Sequence, residues 1–343
     1  MLTTTNSRTD LHPSHLLIRN LQKDFPKLDT LASAGIEVKR FSSQCPQLDQ
    51  IIDGGYPIGR FIDISGPEAS GKTTLLLHAI AEMQQLGKIA ALIDAEHKID
   101  PHYAKALGVN LESLIFVQPR TGEEALEIAE RLVQANIGLV GIDSIAALVP
   151  EKAFDQKLED STAGLHSELV HKGLNRIGRL LGGSNATTVI ATNQLRFVLK
   201  VVYGTPEKST GGVGVKYHSS LSLDLRRIQT NKLRHEEYGI RIKAKITKNI
   251  TGFPFRKCEF DLNFGSGIDQ AGCLLEMAKE LGVLEQISKG RNPVKLQICE
   301  SLENDSTPQD LPQKALLEDW RTYLTSNQIG QRWLNEQIRR VAA

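Results

Sequence analysis

Cysteine is scarce: four residues in 343, with no two of them in a C-x-x-C pair. Cys45, Cys258, Cys273 and Cys299 are scattered along the chain, a usage that reads as reduced thiols serving as small core residues. A chain of that kind is expected in the cytoplasm. Nor does any apolar run approach the ~20 residues that a membrane span needs, so no membrane partner is expected. The N-terminus, MLTTTNSRTDLHPSHLL, lacks the apolar stretch of a secretory signal. Charge of one sign is missing too. The formal net charge is +1 and the isoelectric point about 7.7, so bulk charge neither announces nor excludes a polyanion, and any nucleic-acid site has to be a local patch. There is no internal repeat and no low-complexity tract.

What is present is ordinary soluble-protein material, 40% apolar and 24% charged, enough for one large α/β domain with smaller flanking pieces. Residues 1–40 are polar apart from SHLLIRNLQKDF, where Leu16, Leu17, Ile18, Leu21 and Phe25 gather toward one helical face. From residue 61 strands and helices alternate. RFIDIS, IAALIDA, LIFVQP, LVGIDS and TTVIATN read as strands. Helices are expected at Lys72–Leu86, in PHYAKAL, at Gly122–Asn136 after the cap Thr121, and around 163–182. Continuous apolar strands alternating with amphipathic helices imply a mostly parallel sheet covered on both faces. Beyond 215, SLSLDLRRI, IRIKAKITKN and KCEFDLNFG alternate with period two, as an antiparallel extension would. From about 270 a small helical part follows, with Trp320, Leu324 and Trp333 as its core. The expected division is an N-terminal segment at 1–40, a core at 41–270 and a small domain at 271–343.

Gly66-Pro67-Glu68-Ala69-Ser70-Gly71-Lys72-Thr73 matches G-x-x-x-x-G-K-[ST] in full, between a strand and a helix. Glycines let the backbone wrap a phosphate with its N–H groups turned inward, and the following helix, through Thr74, adds its positive end. Lys72 supplies a point charge for the β- and γ-phosphates of ATP, and Thr73 a hydroxyl for Mg²⁺. Asp143 ends the buried strand GLVGIDS, where a carboxylate holds the Mg²⁺ shell, in part through water. Hydrolysis also needs a group that orients or deprotonates the attacking water. Glu96 and Asp94 both lie at the end of IAALIDA, beside the same crevice, and sequence alone does not choose between them. Gln194 ends a third strand and suits the sensing of a γ-phosphate.

Two stretches lack core patterning: 151–164 (EKAFDQKLEDSTAG) and 196–214 (RFVLKVVYGTPEKSTGGVG). The second carries Arg196, Lys200 and Lys208 with Phe197 and Tyr203 among them, ending near Gly211 and Gly212. Basic and apolar residues on a long glycine-ended loop suit a single strand held by its phosphates and spaced by side chains.

GPEASGKTTL, IDAEHKIDPHYAKALGV, QPRTGEEALEIAE, IDSIAALVP and the TGG after the second loop resemble, in order and spacing, the bacterial RecA recombinase family. The likeness runs over roughly 41–270. It implies a RecA-like P-loop NTPase core and an ATP-dependent recombinase. Such a protein forms a helical filament of its own copies on single-stranded DNA, pairs it with double-stranded DNA and exchanges strands. The resemblance makes Glu96 the general base, Gln194 the switch between nucleotide and DNA, and Lys248 a group reaching a neighbouring copy's nucleotide. Asp100 and Tyr103 would hold the adenine, with Phe264 and Gly265 closing the pocket. The two unpatterned loops become the DNA loops, with Leu199 and Thr210 beside the basic residues named above, and Arg176 close by.

The chain also departs from the family pattern. Ala163 replaces a bulky residue, Glu168 and Asn175 stand where basic residues are expected, and Ile250 replaces the second lysine of a K-x-K pair that begins at Lys248. The sequence ends in NEQIRRVAA rather than an acidic tail, which marks a divergent member, as a phage, plasmid or paralogous copy would be. A reading from another class stays open: a weakly catalytic filament or adaptor protein that uses ATP only as a structural clamp.

Overall fold

The computed structural model describes residues 13–26, 37–154, 163–197, 207–209, 213–233, 235–287, 294–299, 307–308, 310–312 and 314–342. The chain divides into two compact units, Met1–Lys39 and Arg40–Ala343. The first holds the amphipathic helix α1 (Pro13–Leu21), with Leu17 and Phe25 exposed.

The second unit begins with β1 (Arg40–Phe41), α2 (Pro46–Ile51) and β2 (Tyr56–Pro57), then enters the alternating region. There β3 (Phe61–Gly66) leads to α3 (Lys72–Gln85), β4 (Ala90–Asp94) to α4 (Pro101–Ala106), and β5 (Ile115–Val117) to α5 (Gly122–Gln134). Next come β6 (Leu139–Asp143), α6 (Ala163–Leu180), β7 (Thr188–Phe197), β8 (Glu207–Ser209) and α7 (Val213–His218). Helix starts follow local chemistry: Asp100 and Thr121 cap α4 and α5 by accepting from His102 N and Glu124 N.

The strands order as β5-β4-β6-β7-β3-β9, all parallel, where β9 is Leu221–Leu233. The sheet continues antiparallel through β10 (Glu236–Asn249), β11 (Lys257–Asn263) and β12 (Gly267–Ile268), as the period-two pattern predicts, except that SLSLDLRRI in β9, expected in that extension, runs parallel to β3 and pairs antiparallel only toward β10. Alternate residues feed opposite faces. Ala90 and Leu92 join α3 in one apolar core, while Ala91 and Ile93 join α5 and α6 in the other. Each fully buried aliphatic side chain there contributes ~1.5–3 kcal/mol. The strand LIFVQP is less interior than its composition suggests, since Ile115 and Phe116 lie on the sheet edge and are exposed.

The C-terminal part is built from α8 (Gln270–Glu280), β13 (Leu284–Gln286), β14 (Lys295–Ile298), β15 (Lys314–Leu316), α9 (Leu317–Ser326) and α10 (Gln328–Ala342). Trp320, Leu324 and Trp333 are buried in its own core, as their composition predicts. The three-stranded antiparallel sheet β13-β14-β15 is an addition to the helical part expected there. Strands this short carry too few residues for a period-two signal.

Candidate active site

Glycine is required in the 66–71 loop for packing as well as for wrapping. Gly71 caps α3 with φ +86°, and a Cβ there would meet Leu262 Cδ1 at 2.5 Å. Unlike α4 and α5, α3 receives no side-chain cap, and unlike α5 it has no acidic residue in its first turn. Its positive end is left for an anion, which fits a phosphate. Inside the loop, Ser70 Oγ and Lys72 Nζ both donate to the Pro67 carbonyl, at 2.8 and 2.6 Å. Burial lowers the Lys72 pKa against the pull of Asp143, Glu96 and Glu68.

Asp143 ends β6 and is buried beneath this loop. Its Oδ2 accepts from Thr73 Oγ1 at 2.7 Å and its Oδ1 from Thr192 Oγ1. Burial raises its pKa, which the two hydroxyls partly offset. Among the described residues no cluster of three His, Cys, Asp or Glu side chains could hold a metal alone. One carboxylate and one hydroxyl side by side fit Mg²⁺, which takes few protein ligands and completes its shell with phosphate oxygens and water.

The geometry separates the two carboxylates at the end of β4. Asp94 is buried and turned inward, accepting from Lys98 N, Ile99 N and Gln118 Nε2 at 3.3, 3.3 and 3.1 Å. It closes its own turn. Glu96 faces the crevice, its backbone N–H and that of Ala95 bonded to the Asp143 carbonyl at 3.2 and 2.7 Å. Its Oε1 accepts from Ser144 Oγ at 2.6 Å and Gln194 Nε2 at 2.9 Å, and Lys98 Nζ lies 3.3 Å from Oε2. Burial works to raise its pKa, but Ser144, Lys98 and Gln194 outweigh it and hold the carboxyl below its usual value. Glu96 is therefore ionised at neutral pH.

Tyr103 OH and Thr74 Oγ1 are 2.9 Å apart, which ties α4 to the first turn of α3, while Asp100 Oδ1 caps α4. Phe264 and Gly265 form the exposed turn between β11 and β12. That turn is anchored on α3 by Ile268 N donating to His78 Nε2 at 3.1 Å.

Lys248 Nζ donates to the Lys216 and Tyr217 carbonyls at 2.7 and 3.1 Å, capping α7 within the same chain. Ile250 is 64% exposed. Arg176 Nη2 lies 2.5 Å from Glu130 Oε2, so its charge is already engaged with α5. Arg196, Phe197 and Lys208 have their backbones in β7 and β8, which pair antiparallel. Their side chains, and all of Leu199, Lys200, Thr210, Gly211 and Gly212, lie outside the described residues.

Ser144 and Thr192 were not singled out from sequence. Thr192 has a period-two signal, a polar residue two before Gln194 and directly after the apolar run Val189-Ile190-Ala191. Ser144 has only its place after Asp143.

A family model described as RecA N-terminal domain matches residues 16–269. A Protein RecA of Synechococcus sp. (strain CC9902) is 41% identical over 330 residues, covering 92% of this chain and 87% of its own. That of Arthrospira platensis is 47% identical over 274 residues, with coverages of 79% and 75%. That of Prochlorococcus marinus (strain MIT 9301) is 39% identical over 341 residues, with coverages of 95% and 93%. The matched region contains the phosphate loop and the strand ends beside it, and the Synechococcus and Prochlorococcus matches extend past it. The chain belongs to the bacterial RecA family.

Proposed function

We propose that the protein is an ATP-dependent DNA recombinase that assembles on single-stranded DNA, pairs it with a homologous duplex and exchanges strands, with ATP hydrolysis as its enzymatic step. The observation that carries this reading is the Gln194–Glu96 hydrogen bond beside the Thr73–Asp143 pair. A triphosphate would be held by the backbone of Gly66–Thr74 and by Lys72, with the ring toward Asp100, Tyr103, Phe264 and Gly265. Mg²⁺ would be held by Thr73 and Asp143, and when bound it supplies charge neutralisation for the phosphates.

Glu96 orients water and accepts its proton, and its ionised state suits that task. Gln194 occupies one of its oxygens. Turning the amide toward a γ-phosphate removes one of that oxygen's two donors, leaving Ser144, and moves β7, the strand that enters the second DNA loop. Nucleotide state and DNA grip are thereby coupled. A clamp that never hydrolysed ATP would leave this restrained carboxylate without a purpose.

The test is ATP turnover of the full chain with and without single-stranded DNA, together with strand exchange. Stimulation by DNA is expected. Nucleotide-dependent assembly on DNA with no turnover would favour the clamp.

A further inference from the structure

The chain bends at 95–97, just past β4, and His97 takes φ +55° there, a left-handed value uncommon outside glycine. Lys98 comes next. Its backbone N–H and that of Ile99 donate to the Asp94 carboxylate, each at 3.3 Å, and Gln118 Nε2, just beyond β5, donates to the same carboxylate at 3.1 Å. The far limb of the bend is thus pinned to the end of β4, and Lys98 Nζ comes to 3.3 Å from Glu96 Oε2.

The two oxygens of Glu96 are held by different parts of the chain. Ser144, after β6, and Gln194, in β7, both donate to Oε1, whereas Lys98 donates to Oε2. The last torsion of a glutamate is broad, so a carboxylate held at one oxygen alone can swing about that hold. Once Gln194 turns toward a nucleotide, Ser144 remains on Oε1, and Lys98 supplies the second point that fixes the carboxylate plane.

We propose that Lys98 is a positioning residue for ATP hydrolysis, whose ammonium holds the second oxygen of Glu96 so that the carboxylate keeps its aim at the attacking water when Gln194 lets go of the first. That role rests on Glu96 as the base of the hydrolysis read above.

A cation beside a base also weakens it, which opposes the gain in aim. The Lys98 side chain is 71% exposed, and solvent screens that opposing effect. A base acts only within hydrogen-bond reach of the proton it takes, and small misplacements there are costly in rate. Orientation therefore decides the sign. Lys98 lies outside the phosphate loop, so its loss should slow the chemical step and leave ATP binding as it was.

The test uses the full chain as wild type, Lys98→Met and Lys98→Arg, with Glu96→Gln alone and combined with Lys98→Met. ATP turnover is measured with a saturating oligothymidylate, the condition in which Gln194 has left Glu96. In Lys98→Met, kcat should fall ~3–5-fold, the size of effect an exposed ion pair supplies, with KM for ATP unchanged. Lys98→Arg, which keeps a donor for Oε2, should retain most of the wild-type kcat. In the Glu96→Gln background Lys98→Met should cause no further loss, because the carboxylate it positions is gone.

An unchanged or raised kcat in Lys98→Met overturns the proposal while leaving Glu96 as the base. An equal fall in the Glu96→Gln background also overturns it, since Lys98 would then act elsewhere than on Glu96. A wild-type rate in Glu96→Gln alone overturns the assignment of the base, and the role of Lys98 with it.

Discussion

Gln194 Nε2 and Ser144 Oγ donate to the same oxygen of Glu96, at 2.9 and 2.6 Å. A carboxylate so restrained is charged but shielded, because the donors that lower its pKa also occupy the lone pairs a water would use. On the proposed mechanism, activation consists of removing a donor. Gln194 is proposed as the one that can leave, since it lies in β7 three residues before that strand ends, whereas Ser144 is buried beside Asp143.

Glu96→Gln should therefore bind ATP much as wild type does and turn it over 10²–10⁴-fold more slowly, the usual contribution of a general base. Gln194→Ala should uncouple rather than inactivate. DNA-independent turnover should be kept or raised, and stimulation by DNA lost. Steady-state rates with and without DNA check both. Full stimulation in Gln194→Ala would remove the amide from the coupling.

Asp94→Asn should behave differently. Its carboxylate is buried and accepts two backbone N–H groups and Gln118, and an amide substitutes an N–H donor where an acceptor is needed. The expected loss is ~1–3 kcal/mol of stability, measured by denaturant unfolding, with turnover falling only as the 94–99 turn loosens. A stable Asp94→Asn protein with the rate defect expected of Glu96→Gln would exchange the roles of the two carboxylates.

Lys72→Ala should abolish nucleotide-dependent turnover while leaving the unfolding midpoint near wild type. The ammonium's partner in this structure is the Pro67 carbonyl at 2.6 Å, and the residue is half-buried, so the fold has little invested in the charge. Turnover at the wild-type rate would refute the phosphate-loop assignment.

The parallel core was legible because strands such as β4 and β6 are continuous apolar runs ended by Asp94 and Asp143, and the phosphate loop because its eight positions are contiguous. Other relationships depend on which strands become neighbours. Thr192 meets Asp143 only because β7 lies beside β6, and Asp94 meets Gln118 only because β4 lies beside β5. The placement of Lys248 was hidden for the same reason. Its partners are backbone carbonyls at the end of α7, and backbone carbonyls carry no residue-type signature.

His78 was hidden too, and it predicts an acid sensitivity. Ile268 N donates to its Nε2, so Nδ1 carries the proton and donates to Gln44 Oε1 at 2.7 Å. Burial lowers the ring's pKa to about 4. Since the folded value lies below the unfolded one, stability is full above about pH 6.5 and falls as the pH drops toward about 4. The total loss is on the order of 3 kcal/mol. His78→Gln should flatten that part of the pH–stability profile even if it lowers stability at neutral pH. An unchanged slope between wild type and His78→Gln would mean that other groups set the acid limb.

The last prediction concerns Lys248 and Ile250. If Lys248 is to reach a neighbouring copy's γ-phosphate, it must leave two carbonyls that it caps here. That exchange costs the end of α7 its cap, so the one lysine serves two tasks. Ile250 offers no second cation. It is 64% exposed, on a segment held by Arg256, which stacks 4.6 Å over the Phe253 ring and pairs with Asp53 at 2.9 Å. The segment is thus fixed enough to present whatever side chain stands at 250. Ile250→Lys should raise DNA-stimulated turnover, because the added ammonium can face developing phosphate charge while Lys248 remains on α7. Lys248→Ala should lower turnover and also weaken protection of the α7 amides. The double variant should recover turnover in part without recovering that protection, which separates the two tasks. Rates, filament lengths and amide exchange on the three variants decide the matter. Shorter filaments with no gain in rate for Ile250→Lys would mean that the isoleucine packs against the neighbouring copy. Full turnover in Lys248→Ala would mean that each active site is completed within one chain.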